Sequence, residues 1–227
     1  MNSSVSVIIP TLNEEPNLEV CINALGSMRD FELIVVDGGS RDDTVTIAKK
    51  MDAQVFTTSP CRASQMNLGA RMASGEILVF LHADTLLPDN WIQIVRKTLV
   101  PPNVILGAFE FSLDELRWQF LLIRKLANFR SRFFQMPYGD QALFVGRDNF
   151  YRIGGFPEIM IMEDFAFCRL AKRHGLIKTV SAQAITSCRR WKNRGIIRNT
   201  LINQYIIALF ALGASDRKLR SIYDAIK

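Results

Sequence analysis

From Val5 to Leu81 the chain alternates short apolar runs, rich in β-branched residues, with longer segments of helical apolar spacing. That alternation constrains the fold more than any other feature. Val5–Ile9, Phe31–Val36, Ala53–Phe56 and Ile77–Leu81 read as strands, and Asn17–Met28, Asp43–Met51 and Ala63–Ala73 as helices. Strands and helices in strict turn form βαβ units, so the expected class is α/β, a Rossmann-like, mostly parallel sheet with flanking helices. Beyond Leu81 the pattern is looser. Trp91–Val100 reads as a helix stopped by Pro101-Pro102, Ile105–Phe111 as a strand, Asp114–Gln135 as a long helix and Ala142–Val145 as a short strand. The Gly154-Gly155 turn, a helix over Glu163–Arg173 and a mainly helical tail from Gly195 complete the reading. With no repeat, low-complexity tract or linker, residues 1–227 are expected to form a single domain, divided in function between 1–113 and 114–227. The late apolar run Tyr205–Leu212 is too short to span a bilayer.

Composition narrows the function classes. Hydrophobic residues make up 48% of the chain and charged ones 22%, which excludes a disordered protein. Cys21, Cys61, Cys168 and Cys188 lie far apart with no C-x-x-C pair, which argues against a zinc site or a disulfide framework. No leader precedes the first strand, so a reducing cytoplasm is the expected compartment. The net charge of +6 is unevenly spread: residues 1–113 carry −5 and residues 114–227 carry +11. The basic half either faces an anionic partner or is a solvated surface. No recognition helix, zinc finger or RNA-binding signature accompanies it, so nucleic acid is not the expected partner.

The polar residues of the first half cluster just after strand ends, at Thr11–Glu15, Asp37–Asp43 and His82–Thr85. In open α/β sheets, ligands bind outside the carboxyl ends of the strands. Asp37 is followed by Gly38 and Gly39, which places a carboxylate beside backbone that a flat ligand can approach closely. Taken alone, the same residues also suit a plain strand–turn–helix connection. His82 and Asp84, two apart on an extended segment, share one side and could ligate a divalent cation, Asp84 being the better oxygen donor for Mg²⁺ or Mn²⁺. Their other reading is a hydrogen-bonded core histidine and a turn-capping aspartate.

The motifs P-T-L-N-E (10–14), V-D-G-G-S (36–40), H-A-D (82–84), G-D-Q (139–141), G-G-F (154–156), M-E-D (162–164) and R-R-W (189–191) occur in this order. Together they resemble glycosyltransferase family 2, the inverting nucleotide-sugar transferases of the GT-A fold. The resemblance is greatest to the small bacterial branch with C-R-A-x-Q-M-N and F-L-H-A-D-T motifs, and it runs from Val7 to about Tyr223.

The resemblance implies a set of roles. Pro10, Thr11, Asn13 and Glu14 would form the nucleotide pocket, with Asp37 contacting the base. Many relatives carry a second acid where this chain has Gly38. Arg62, Gln65 and Asn67 would face the nucleotide, Arg62 offering a fork to phosphate oxygens; Cys61 stands where the branch usually has Gly. The family's Asp-x-Asp metal motif is His82-Ala83-Asp84 here, so Asp84, with His82 in place of the other acid, would hold the Mn²⁺ or Mg²⁺ that neutralises the departing diphosphate. Glu163-Asp164 would supply the general base, Asp164 taking the acceptor hydroxyl's proton in one in-line displacement. Asp140 and Gln141 would lie on the acceptor side. Arg190 would approach the diphosphate or an acceptor phosphate, and Trp191 would stack on the acceptor; Ser187 stands where processive relatives have Gln. The implied partners are a nucleoside-diphosphate sugar, UDP-linked by preference, and an acceptor that a lipid could carry.

Two other classes share these features: a nucleotidyltransferase on a similar sheet, and a non-catalytic nucleotide-sugar-binding module at a membrane. The T-L-N-E-E loop has neither the Gly nor the Lys of the first class, and Asp84 and Asp164 argue against the second. On a helical wheel of Asp114–Gln135, Arg117, Leu121, Arg124, Lys125, Asn128 and Arg132 share one sector, and Trp118, Leu122, Leu126, Phe129 and Phe133 another. Two readings follow: an apolar core face beside a solvated basic stripe, or a helix lying on an anionic membrane at the inner face of the plasma membrane.

Overall fold

The computed structural model of the protein describes residues 3–27, 30–115, 117–189 and 196–225. Strands β1 (Val5–Thr11), β2 (Glu32–Asp37), β3 (Gln54–Thr57) and β4 (Ile77–Phe80) alternate with helices α1 (Glu15–Ala24), α2 (Thr44–Lys50) and α3 (Arg62–Met72). There follow β5 (Thr85–Leu86), α4 (Trp91–Thr98), β6 (Val104–Leu113), α5 (Trp118–Phe133) and a single 3₁₀ turn at Gly139–Gln141. The chain continues through β7 (Leu143–Gly146), α6 (Arg147–Ile153), α7 (Glu163–Ala171), β8 (Leu176–Thr186), α8 (Ile196–Ala211) and α9 (Asp216–Ala225).

All eight strands join one sheet in the order β3-β2-β1-β4-β7-β6-β8-β5. Alternate side chains of the central strands serve opposite faces, as the pleat requires. Val7, Ile9 and Val35 pack with Leu18 and Ile22 of α1 and Trp91 and Val95 of α4. Ile8, Ile34 and Val36 pack with Met66 and Ala70 of α3, Phe150 of α6 and Phe167 of α7. Strands covered on both faces have no solvent side, which is why β1, β2 and β4 read as continuous apolar runs.

Only the first half follows the expected parallel pattern. β1 pairs in parallel with β2 and β4, and β2 with β3. β7 then runs antiparallel to both β4 and β6, β8 returns parallel to β6, and β5 closes the edge antiparallel to β8. The sheet is therefore mixed. The 11-residue β8 is absent from the sequence reading because its pairing with β6 is broken by register shifts, and its burial follows no clean alternation. Helix α6 was likewise missed: seven residues ahead of Gly154 are too few to display a helical period.

The long basic helix needs a further correction. It begins at Trp118, not Asp114, and presents three faces. Phe120, Ile123 and Ala127 pack inward against Phe111, Leu113 and Cys188, and Ser131 is buried beside Thr179. The Trp118-Leu122-Leu126-Phe129-Phe133 stripe is exposed, so of its two readings the core face is overturned.

Candidate active site

The carboxyl ends of β1 and β2 are laced together by their own loops. Asn13, at φ 54°, donates its backbone N–H to Ser40 Oγ (2.8 Å), and its side-chain oxygen accepts from the Arg41 N–H (2.9 Å). The Glu14 N–H donates to Thr44 Oγ1 (2.9 Å). Pro10 and Thr11 stand opposite Val36 and Asp37 in the ladder. Buried Asp37 accepts hydrogen bonds from the N–H groups of Gly39 and Ser40 (both 2.8 Å), and also from the Ser40 hydroxyl. Its carboxylate therefore organises the turn from within. A side chain at Gly38 would meet Pro60, the Gln65 amide and the Thr11 carbonyl at 3.1–3.3 Å, which leaves little room for a second acid.

Three amides expected to face ligand are bound to the protein's own backbone instead. Gln65 is buried and donates to the carbonyls of Thr11 and Val36 (both 2.8 Å), tying α3 to the two strand ends. Asn67 brackets Phe156, donating to its carbonyl (2.8 Å) and accepting from its N–H (2.9 Å), and so pins the Gly154-Gly155 loop. Gln141, fully buried, donates to the Phe109 carbonyl (2.8 Å) and Ser131 Oγ (3.0 Å) and accepts from Arg130 (3.3 Å). Amides withdrawn from water need hydrogen-bond partners, and in each case a backbone carbonyl supplies one at 2.8 Å.

Arg62, His82, Gly139, Glu163 and Asp164, by contrast, line one narrow cleft. Asp164 Oδ2 accepts the Gly139 N–H at 2.7 Å, and Oδ1 accepts the Phe165 N–H at 2.7 Å. A Cβ at Gly139 would lie 2.8 Å from His82 Nε2 and 3.4 Å from Asp164 Oδ2, so this glycine lets imidazole and carboxylate close on the same backbone. Arg62 bonds Glu163 at 3.3 Å, its side chain partly exposed while that of Glu163 is buried. Burial works against the Arg62 charge, but the carboxylates of Glu163, Asp164 and Asp84 outweigh it and raise the pKa. Glu163 is pushed above the usual carboxylate range by burial; Arg62 opposes that and Asp164 adds to it. Met162, just before the pair, sits at φ 69°, a costly backbone for a non-glycine residue and a common one where side chains are held in position.

The loop from Met136 to Gln141 is clamped by a residue the sequence reading did not single out. Arg130, on the last turns of α5, donates to the Met136 carbonyl (3.0 Å), and its guanidinium lies 3.3 Å from the Tyr138 ring centroid. Its signal in the sequence was faint: an arginine pointing to neither of the two stripes drawn on the helix. Asp140 is half-buried, its carbonyl accepting from Thr186 Oγ1 (3.2 Å). Arg189 reaches Glu14 at 3.8 Å, joining the stretch after β8 to the loop between β1 and α1. Arg190 and Trp191 lie outside the described residues.

Among the described residues, no group of three His, Cys, Asp or Glu side chains forms a cation cage. Asp84 nevertheless suits Mg²⁺ or Mn²⁺, which commonly take one or two protein carboxylates and complete their shell with substrate phosphates and water. The cysteines are free thiols. Burial pushes Cys21 up to about 12, with Asp84 adding to it, and also holds Cys168 well above its usual value, so neither is a ready nucleophile.

Glycosyl transferase family 2 matches residues 6–156, which include the laced loops, Arg62, His82, Asp84, Gly139 and Asp140. A PGL/p-HBAD biosynthesis glycosyltransferase of Mycobacterium tuberculosis is 37% identical over 166 residues, covering 66% of this chain and 62% of that protein. The chain spans between 40% and 62% of the length of the first curated relatives it matches. Among solved structures, the mannosyltransferase PcManGT from Pyrobaculum calidifontis, in complex with GDP-Man and Mn²⁺, superposes with a TM-score of 0.67 at 21% identity, over 98% of this chain and 68% of that one. Glucosyl-3-phosphoglycerate synthase from M. tuberculosis, with Mn²⁺ and uridine-diphosphate-glucose, gives 0.60 at 20% identity, over 80% and 70%. These likenesses establish a GT-A-like fold, and with a family match over more than half of its length the chain belongs to glycosyl transferase family 2.

Proposed function

We propose that the chain is an inverting glycosyltransferase that moves a sugar from a nucleoside diphosphate, UDP by preference, to an acceptor hydroxyl. The observation that carries this reading is the Asp164 carboxylate, fixed by the Gly139 N–H in a cleft it shares with Arg62 and His82. A carboxylate so held is a general base with one defined direction of approach. Asp164 takes the acceptor proton as the acceptor oxygen bonds the anomeric carbon. The bond from that carbon to the diphosphate breaks on the opposite face, and its electron pair leaves with the phosphate oxygen. One displacement inverts the centre.

Arg62 stands beside the base with a charge sustained by three carboxylates, and its part-exposed side chain would meet diphosphate oxygens. Asp84, with His82 nearby in sequence, would hold Mg²⁺ or Mn²⁺, which supplies Lewis-acid neutralisation of the leaving diphosphate. The uridine-diphosphate-glucose and GDP-Man complexes of the similar structures support a nucleotide-sugar donor and a divalent ion. Pro10, Thr11, Asn13 and Glu14 form the nucleotide floor, which Asp37 shapes. Arg190 and Trp191 are assigned to the diphosphate and the acceptor.

Asp164→Asn tests the reading. The amide keeps the shape and cannot take the proton, so donor binding measured by calorimetry should persist while transfer falls by about 10²- to 10⁴-fold. Near-normal turnover in the purified variant removes Asp164 from the mechanism.

A further inference from the structure

Helix α5 carries an apolar face that nothing in the described protein covers. Trp118 is 71% exposed, Phe133 70%, Leu126 60% and Phe129 57%, and Leu122 and Phe134 are also more than half exposed. Phe129 and Phe133 stack at 5.3 Å, and Phe134 meets both edge-on at 6.0 and 5.2 Å. Single exposed apolar residues are ordinary, but a contiguous stripe of six large ones is an interaction surface. The helix does not need this face for its own docking, since Phe120, Ile123 and Ala127 already pack inward.

The flank of the stripe identifies what it meets. Arg117, Arg124, Lys125 and Arg132 occupy the sector beside it at helical spacing. Arg117 pairs with Glu115, and Arg132 with Glu110 at 2.6 Å. No acidic partner is found for Arg124 or Lys125 among the described residues. These two cations, with Phe129, Phe133 and the Arg132–Glu110 pair, line an open groove of about 520 Å³ between the helix and strands β6 and β8. Trp and Phe on one side of a helix and Arg and Lys on the next is the arrangement by which a helix lies in the interface of an anionic bilayer: rings at the acyl boundary, cations at headgroup phosphates. A second copy of the chain suits the face less well. Antiparallel two-fold pairing of the stripes would set each basic flank against itself. Among the described residues no helix is long and apolar enough to cross a membrane, so the attachment is to the surface.

We propose that α5 docks the protein on an anionic phospholipid bilayer. The helix runs into the loop that Arg130 clamps and that holds the Asp164 carboxylate, so docking brings the acceptor side of the cleft to the headgroups. A lipid-borne acceptor is then the substrate class that this surface serves.

Co-sedimentation tests the docking without donor or acceptor, so its outcome is independent of the transferase reading. The probes are phosphatidylcholine vesicles with and without about a third phosphatidylglycerol. The full chain should sediment only with the anionic vesicles, and less as salt rises, because screening weakens charge attraction at the surface. Arg124→Gln with Lys125→Gln should lower the partition coefficient by about thirtyfold. Phe129→Ser with Phe133→Ser should abolish binding at any salt, with circular dichroism showing the fold retained in both variants. No sedimentation with anionic vesicles at low salt overturns the proposal. So do unchanged binding in folded variants and a stable dimer in ultracentrifugation that Phe129→Ser with Phe133→Ser dissolves.

Discussion

Asp164 and Glu163 are adjacent in sequence yet occupy different environments. Asp164 is half-buried and accepts two backbone N–H groups, while Glu163 is buried against Arg62. Burial disfavours the Glu163 anion and raises its pKa above 4.5, so the native state holds that proton at a pH where the unfolded chain has released it. Between 4.5 and the raised native value the folded form binds more protons, and this group therefore makes stability fall as pH increases. Glu163→Gln removes the titration. Its midpoint in urea should lose less between pH 4.5 and 7 than that of the wild type, and parallel pH profiles would show that the Glu163 shift is absent. Gln65, Asn67 and Gln141 show what a residue-level reading of the sequence does not see. An amide beside a ligand motif looks the same whether it is aimed at a nucleotide or at a strand-end carbonyl, and only the fold brings Thr11, Val36, Phe156 and Phe109 within its reach.

Helix α5 performs three tasks on three faces: it packs inward, carries the exposed stripe and, through Arg130, holds the loop from Met136 to Gln141. On the proposed mechanism Arg130 would be a positioning residue, linked to Asp164 through the loop whose Gly139 N–H the carboxylate accepts. Replacing it with Met keeps much of the side-chain length and removes both hydrogen bonds and the stacking on Tyr138. With Asp164 as the proposed base, its misplacement by about an ångström can cost as much as 10²-fold. Arg130→Met should accordingly lower kcat between about tenfold and a hundredfold, with the donor KM unchanged. A rise in KM at constant kcat would place Arg130 in donor binding instead. The periodicity of this helix was legible, but which of its stripes faces the protein was not. The apolar stripe is the more hydrophobic, yet the end of β6 that it would have to cover is already packed by Phe120 and Ile123.

Across the whole molecule, the cleft lies where the two halves of the chain meet. Arg62 and His82 come from the acidic half and Gly139, Glu163 and Asp164 from the basic half, joined through one continuous sheet. A ligand seated there binds only the folded arrangement and so stabilises the whole. At a hundred times its dissociation constant, the correct nucleotide sugar should add about 2.7 kcal/mol. At about 2–4 °C per kcal/mol for a chain of this size, that raises Tm by roughly 5–10 °C. With Mn²⁺ present the shift should appear for one donor in a panel, and chelation should reduce it. Equal shifts with and without chelator would remove the cation from donor binding.

The sequence by itself determined the parallel half-sheet, because fully buried strands and the helices between them write their periods directly into the chain. It also placed Asp164, Glu163, Arg62 and His82 as candidates, since their neighbours in sequence form ordered motifs. Only the tertiary structure decided that β8 lies between β6 and β5, that Arg130 holds the loop before β7, and that the aromatic stripe of α5 faces outward. Each of these depends on a partner far along the chain. Local pattern encodes how strongly a residue avoids water; which surface relieves that tendency is settled by packing, after the nearer claims on the same surface have been met.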